Sequence, residues 1–173
     1  RSFEMKQVRN STLEIMPAKL ASLRIENCTL GDNFSSLFHN LPIDVNLEIT
    51  DCVFKSRVTG TSSRHFSKRV LISNSIFEQG LELANIHFEN GLSLEKSECA
   101  NLGLKARACA FQNDTSLSGH FSSIEIKNGT IGQKFRIKGS NKARLDSLKI
   151  STHIPDAKIE LIDIIVEDLQ IES

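Results

Sequence analysis

The sequence predicts an all-β protein, a right-handed parallel β-helix whose coils take about 22 residues and form four short faces. A short apolar phrase recurs along the chain, and within it the inward residues lie two and then five residues apart. A small residue also recurs every 22 to 24 residues. Alternate side chains of a strand point to the same face, whereas a helix of 3.6 residues per turn cannot keep this spacing. A repeat of this length indicates a solenoid.

The recurring phrase consists of an apolar residue, any residue and a second apolar residue, then two polar residues, a small or apolar residue, a spacer and an apolar residue. Adjacent copies lie about 10 to 11 residues apart, so one coil carries two phrases. Copies begin at Leu23, Leu47, Val70, Leu81, Leu92, Leu102, Ile124, Ala143 and Ile159.

The small-residue position gives the clearest check of the register. Its members are separated by 24, 23 and 22 residues and should stack in one column inside a narrow coil: Cys28, Cys52, Ser75 and Ser97. The same register predicts an adjoining inward ladder of Leu30, Phe54, Phe77 and Cys99. A further ladder is predicted on the opposite face from Leu81, Leu102, Ile124, Leu148 and Leu169.

Corners between the strands need positive φ angles or side-chain hydrogen bonds to the backbone, and glycine and asparagine suit both. Six such residues fall at or beside the expected corners: Asn74, Gly80, Asn85, Asn90, Gly91 and Asn101.

Three stretches break the repeat and are expected to be loops or insertions on the side of one domain that spans 1–173. They are Asn33 to Ile43, Lys55 to Arg69 and Gln112 to Ser123. The first holds Phe34, Leu37, Phe38 and Leu41, a spacing that fits one or two helical turns stopped by Pro42.

The two ends of the solenoid need protection, because an uncovered coil exposes strand edges. Residues 1–20, with a fragmentary strand at Leu13 to Ile15, are expected to cap the first coil. Acidic residues are expected to protect the other end: Glu167, Asp168 and Glu172.

The Lys55 to Arg69 stretch is polar and carries five basic residues and no acidic one. One interpretation is a solvated, mobile loop. The other is a contact with an anion or a phosphorylated partner, in which four basic side chains supply the charge and a histidine serves as a donor. The candidate binding residues are Arg57, Arg64, His65, Lys68 and Arg69.

Partial matches to a five-residue pattern occur at Ser75-Ile-Phe77, Ser97-Glu-Cys99 and Ala100-Asn-Leu102. In this respect the chain resembles the pentapeptide-repeat proteins, most closely over Leu81 to Cys109. The resemblance implies a right-handed, four-faced β-helix without a common catalytic centre. It also implies a bacterial protein that serves as an interaction scaffold or an effector. The branch of that family that mimics duplex DNA fits poorly, because such mimicry needs a dense negative surface.

Composition narrows the partners further. The 21 basic and 21 acidic residues balance, so no net field favours nucleic acid or an anionic membrane. The absence of Trp and Tyr argues against a stacking platform for sugars or bases. No apolar run is long enough to span a bilayer.

The chain starts at Arg1 rather than Met, so we expect a fragment of a larger protein. We expect that protein to be cytoplasmic, or to be secreted as an effector into a host cytosol.

The four cysteines lie far apart in the sequence and form no zinc-ligand spacing, so we expect no metal and no cofactor. The low cysteine density favours reduced, buried thiols over a disulfide framework. No catalytic motif is found either.

The expected function is a non-catalytic scaffold that contacts another protein or another domain of its parent chain. Two alternatives stay open. Gly119-His120 and Arg136-Ile-Lys138 resemble fragments of the pectin-hydrolase pattern, although the aspartates that such enzymes use are missing. A solenoid that stacks end to end is the other alternative, and flat, apolar, uncapped ends would favour it; none is evident in the sequence.

Overall fold

In a computed structural model, the chain forms a parallel β-solenoid of about seven turns with about 22 residues per turn. The structure describes residues 2–7, 20–41, 45–61 and 63–172. The fold class predicted from the apolar phrase is thereby confirmed. None of the helices in these four segments has the length and apolar character needed to cross a membrane.

A complete coil has four faces, which we name A to D in chain order. Strands of the same face pair in parallel from one coil to the next. Face A begins with β1 (Ser2–Lys6), β2 (Ser22–Glu26), β4 (Asn46–Thr50) and β8 (Val70–Ser73). Face B begins with β3 (Thr29–Leu30), β5 (Val53–Phe54) and β9 (Ile76–Phe77). Face C begins with β6 (Val58–Gly60), β10 (Leu81–Ala84) and β13 (Leu104–Arg107). Face D begins with β7 (Arg64–Phe66), β11 (Ile86–Phe88) and β14 (Ala110–Phe111).

Longer strands run round the corners in the second half of the rod. They are β12 (Leu92–Cys99), β15 (Thr115–Phe121), β16 (Ser123–Ile131), β17 (Lys134–His153) and β18 (Lys158–Glu172). The first two continue faces A and B, β16 continues faces C and D, and β18 ends on face C.

The core is filled by inward residues that stack in columns, as the repeat predicted. Phe54 and Phe77 stack on face B with ring centroids 4.7 Å apart. On face D, Phe88 lies between Phe66 and Phe111, at 5.7 and 5.5 Å. Such offset aromatic contacts add to the free energy gained by burial alone.

The small-residue column is confirmed as well. Cys28, Cys52, Ser75 and Ser97 are all buried, and Gly119 and Gly139 continue the column upward. At the corners, five of the six predicted residues have positive φ angles, and the sixth, Asn90, donates from its side-chain amide to the backbone carbonyl of Ser67.

The first segment out of register is helical, as its spacing predicted. A short 3-10 helix covers Asp32–Phe34 and α1 covers Leu37–Asn40. Phe34, Leu37, Phe38 and Leu41 are buried against the coil, and the helix packs on β6. Pro42, the expected stop, lies outside the described residues, as does the fragmentary strand expected at Leu13 to Ile15.

The structure corrects two of the expected insertions. The described residues of the 55–69 stretch are part of the coil, since β6 and β7 lie among them and pair with β10 and β11. The stretch from 112 to 123 holds most of β15, which pairs with β12 and β17. In each stretch one inward position lacks a large apolar side chain, at Gly60 in the first and at Thr115 in the second, and this hides the repeat.

A third correction concerns face C. Leu104, not Leu102, pairs with Leu81 and Ile124 in the inward ladder. Leu102 lies in the turn before it and is 41% exposed. The glycine between the two leucines has a φ of +66° and shifts the strand start by two residues.

The first twenty residues are only partly described. Within them, β1 pairs with β2 in the register of a full rung, and residues 8–19 of the expected cap lie outside the described residues. Phe3, on β1, is 43% exposed.

Candidate functional site

The basic residues proposed as binding candidates do not form one cluster. Arg57 precedes face C, Arg64 and His65 lie on face D, and Lys68 and Arg69 lie at the corner before face A. The coil therefore separates the side chains that the sequence placed in a single loop.

Most of these side chains are also engaged by the next coil. Arg57 Nη2 lies 3.1 Å from Glu82 Oε2, and the ring of His65 lies 3.0 Å from Glu89 Oε2. Arg69 lies 3.5 Å from Glu95 and donates to the hydroxyl of Ser93.

Arg64 donates to the backbone carbonyl of His39 at 2.6 Å, and Lys68 is exposed without an ion pair to any described residue. The acidic partners of the basic stretch lie about one coil later in the sequence, so they are absent from the stretch itself. Exposed pairs of this kind contribute little to stability, but they leave little unbalanced positive charge for a phosphorylated partner.

One concave feature is a groove of about 670 Å³ at the corner between faces A and B. Its floor is the upper part of the small-residue column, where Ser97 is followed by Gly119 and Gly139. Charged and polar side chains line it: Lys96, Glu98, Ser118, His120, Lys138 and Asp163.

The groove brings together two residues that the sequence had linked to a pectin-hydrolase pattern. His120 and Lys138 both line it, with two carboxylates, Glu98 and Asp163. Arg136 does not join them: it lies outside this groove, and its Nε donates to Glu160 at 3.0 Å. The partial match to the pectin-hydrolase pattern thus identified two residues that line one groove, but it did not identify a complete set of hydrolase catalytic residues.

The second distinctive feature is the open end, which we define as the outer edge of β18 and its inward side chains. This edge has no strand partner among residues 2–7, 20–41, 45–61 and 63–172. Its inward side chains are Ile159, Leu161, Ile164, Val166, Leu169 and Ile171.

Exposure shows how incompletely the open end is covered. Leu169 is 51% exposed, whereas Leu148, its counterpart one coil earlier, is fully buried. Ile171 is 44% exposed above a buried Ile150. The acidic residues expected to protect this end point outward instead: Glu167 pairs with Arg144, and Asp168 pairs with Lys149 at 3.1 Å.

The cysteines offer no reactive centre. All four are free and buried. Burial raises the pKa of Cys52 and of Cys109 to about 11, and it raises the pKa of Cys99 as well. Because the thiolate is the nucleophile and metal ligand, these thiols are poorly suited to either role. Among the described residues, no cluster of His, Cys, Asp or Glu side chains is arranged to hold a metal ion.

No protein-family model matches the chain, and no curated protein or solved structure is significantly similar to it. The solenoid fold thus rests on the strand pairing itself.

Proposed function

We propose that this chain is a non-catalytic scaffold domain whose open end binds either another protein or another domain of its parent chain. The observation that carries the proposal is the exposure of Leu161, Leu169 and Ile171, which continue columns that are buried in the preceding coil. Covering them would remove apolar surface from water at a gain of roughly 25 cal/mol per Å².

The chemistry of the open end suits an extended polypeptide. The outer edge of β18 offers a row of backbone N–H and C=O groups beside the apolar side chains, which is the arrangement that strand addition uses. The edge is also held by its pairing with β17 over most of its length, so a partner strand would meet a preorganised surface at little ordering cost.

The source and cellular role that we propose follow from the resemblance to pentapeptide-repeat proteins. A column of small residues beside a ladder of stacked phenylalanines supports a related, degenerate β-helix. On that basis we propose a bacterial scaffold or effector domain that acts in a cytosol.

End-to-end stacking is a second candidate, and one observation favours it. The outer edge of β1 also lacks a strand partner among the residues that the structure describes, and Phe3 is exposed there. A second copy of the chain would therefore find strand edges at both ends.

Affinity capture from a bacterial lysate with four baits tests the proposal. The baits are the wild type, an open-end variant (Leu161→Lys with Leu169→Lys), a basic-stretch variant (Arg57, Arg64, Lys68 and Arg69 to Ser), and a control, Gln170→Lys. Gln170 lies on the same strand but points outward. Circular dichroism checks that each bait is folded.

A partner retained by the control and lost only with the open-end variant supports the proposal. A partner lost only with the basic-stretch variant moves the contact to that stretch and refutes binding at the open end. Sedimentation of the purified protein tests the second candidate. If copies stack, the mass of the wild-type assembly should increase with protein concentration, whereas the open-end variant should stay monomeric.

A further inference from the structure

Charges of opposite sign alternate along outward columns of the rod. On face C, one column carries a charged residue on four successive coils, in the order Glu82, Lys105, Glu125 and Lys149. Glu125 thus has a lysine in the coil before it and another in the coil after it. Opposite charges that face each other across paired strands are favourable, and like charges in that position are unfavourable.

The last coil breaks this alternation because nothing follows it among the residues that the structure describes. Its strand, β18, carries one lysine and five acidic residues, whereas β17 carries six basic residues and one acidic residue. Three carboxylates of β18 pair with β17: Glu160 with Arg136, Glu167 with Arg144, and Asp168 with Lys149. Unlike Glu125, they have a basic coil on one side only. Glu172 has no ion pair to any described residue.

A second copy of the chain fits the charges of this edge poorly. One outward column links Glu4 on the first strand to Glu160 on the last, in register through every coil between them. A copy that continued the rod in this register would place its Glu4 beside Glu160. Two copies that met through their β18 edges would bring two acidic strands together. Both arrangements oppose like charges.

The inward side of the same edge sets a second requirement. Leu161, Leu169 and Ile171 are partly exposed and alternate with the outward residues of β18. A strand added to this edge places every second side chain on the same side as these three. Its remaining side chains lie on the outward side, next to the carboxylates. The edge therefore suits a strand in which aliphatic and basic residues alternate.

We propose that the open end binds a basic β-strand of its partner polypeptide, in which Lys or Arg alternates with aliphatic residues. This inference rests on the proposed function, because it specifies the partner of the open end. The aliphatic side chains of the partner cover the exposed apolar residues of β18. Its basic side chains continue the alternation of charge and lie beside Glu160, Asp168 and Glu172.

Fluorescence anisotropy with three labelled 15-residue peptides tests the inference. Each peptide has the sequence of β18, whose inward pattern already fits a coil. The five acidic positions carry lysine in the first peptide, glutamine in the second and the original acids in the third.

Two double variants of the protein change the charge of the edge. Asp168→Asn with Glu172→Gln removes two carboxylates, and Asp168→Lys with Glu172→Lys reverses their charge. The control is Asp51→Lys, at an exposed position after β4, five coils before β18 and without an ion pair to any described residue. Circular dichroism checks that each variant is folded, and the neutral variant keeps the test if the reversed one does not fold.

We expect the wild type to bind the lysine peptide on the order of tenfold more tightly than the glutamine peptide, and the acidic peptide most weakly. The neutral variant should lose most of this preference, and the reversed variant should prefer the acidic peptide. The control should keep the wild-type order.

Equal affinity for the lysine and glutamine peptides, or a preference for lysine that survives in both double variants, would overturn the inference. If the two peptides bind equally and Leu161→Lys with Leu169→Lys abolishes the binding, the proposed function still stands without a basic partner. Undetectable binding of the lysine peptide at millimolar concentration would also overturn the inference, and the lysate capture then decides the proposed function separately.

Discussion

The backbone N–H of Cys52 donates a hydrogen bond to the hydroxyl of Ser75, 3.2 Å away on the next coil. Ser75 in turn donates to the carbonyl of Ser73 at 2.8 Å, and its own N–H reaches the hydroxyl of Ser97 at 3.4 Å. The small-residue column is thus a hydrogen-bonded ladder as well as a packing device. Buried backbone groups at this corner depend on it, because no water reaches them.

Replacing Ser75 by Phe should therefore destabilise the protein by about 1–3 kcal/mol or more, since a large ring overpacks the narrow column. Urea unfolding followed by circular dichroism measures the loss. Ser63→Phe, at an exposed position, is the matched control and should leave the midpoint nearly unchanged. Equal midpoints for the wild type and Ser75→Phe would contradict the register described here.

The corner at Gly91 gives a second prediction. This residue has a φ of +80°, and a Cβ built on it would lie 2.1 Å from the carbonyl oxygen of Asp114 in the next coil. Gly91→Ala should cost about 1–2 kcal/mol from the backbone conformation alone, and more from the clash.

Gly31 provides the control for that substitution. Its φ is −96°, and nothing lies within 4 Å of a Cβ built there. Thermal unfolding of the two alanine variants should show a clear loss for position 91 and almost none for position 31. A similar melting temperature for both would show that the coils can separate at this corner.

Much of the fold was predictable because the inward residues repeat with the period of the coil. The small-residue column and the corner asparagines were found from spacing alone. The repeat was lost at Lys55 to Arg69 because, of the residues described there, only Val58, Gly60 and Phe66 point inward, and a glycine carries no apolar signal. Leu102 was misplaced for a related reason, since either leucine beside Gly103 satisfies the pattern.

The candidate sites were harder to predict. The groove depends on side chains from five coils, including Glu98 and His120, which meet only when the coils stack. The open end was missed because Leu161, Leu169 and Ile171 have the same spacing in the sequence as the inward residues of an interior coil. Sequence spacing identifies inward positions, but it does not say whether another coil covers them.

The cysteines allow a prediction about reactivity. Burial raises the pKa of Cys52 and Cys109 to about 11, and all four thiols are buried. At pH 8 the native protein should therefore react slowly with a thiol reagent such as Ellman's reagent, and all four thiols should react once urea unfolds the chain. Rapid reaction of even one equivalent in the native state would show that the coil opens near a cysteine.

The ion-pair cluster around Glu160 gives a prediction about pH. Hydrogen bonds from Lys158, Arg136 and Lys134 lower the pKa of Glu160 to about 2, from an ordinary value of 4.5. A carboxyl whose pKa is lower in the folded state binds its proton more readily in the unfolded state. Its contribution to stability is therefore present above about pH 4.5 and is lost as the pH falls toward 2.

Glu160→Gln removes this titration, so the wild type should exceed the variant in stability at pH 7, and the difference should shrink between pH 4.5 and pH 2. Urea midpoints at several pH values measure it. The control is Glu172→Gln, an exposed residue near the end of β18 without an ion pair to any described residue. A constant difference between wild type and Glu160→Gln across this range would mean that the three basic side chains do not hold the carboxylate in solution. Addition of salt should narrow the difference at pH 7, because screening weakens pairs that water can reach.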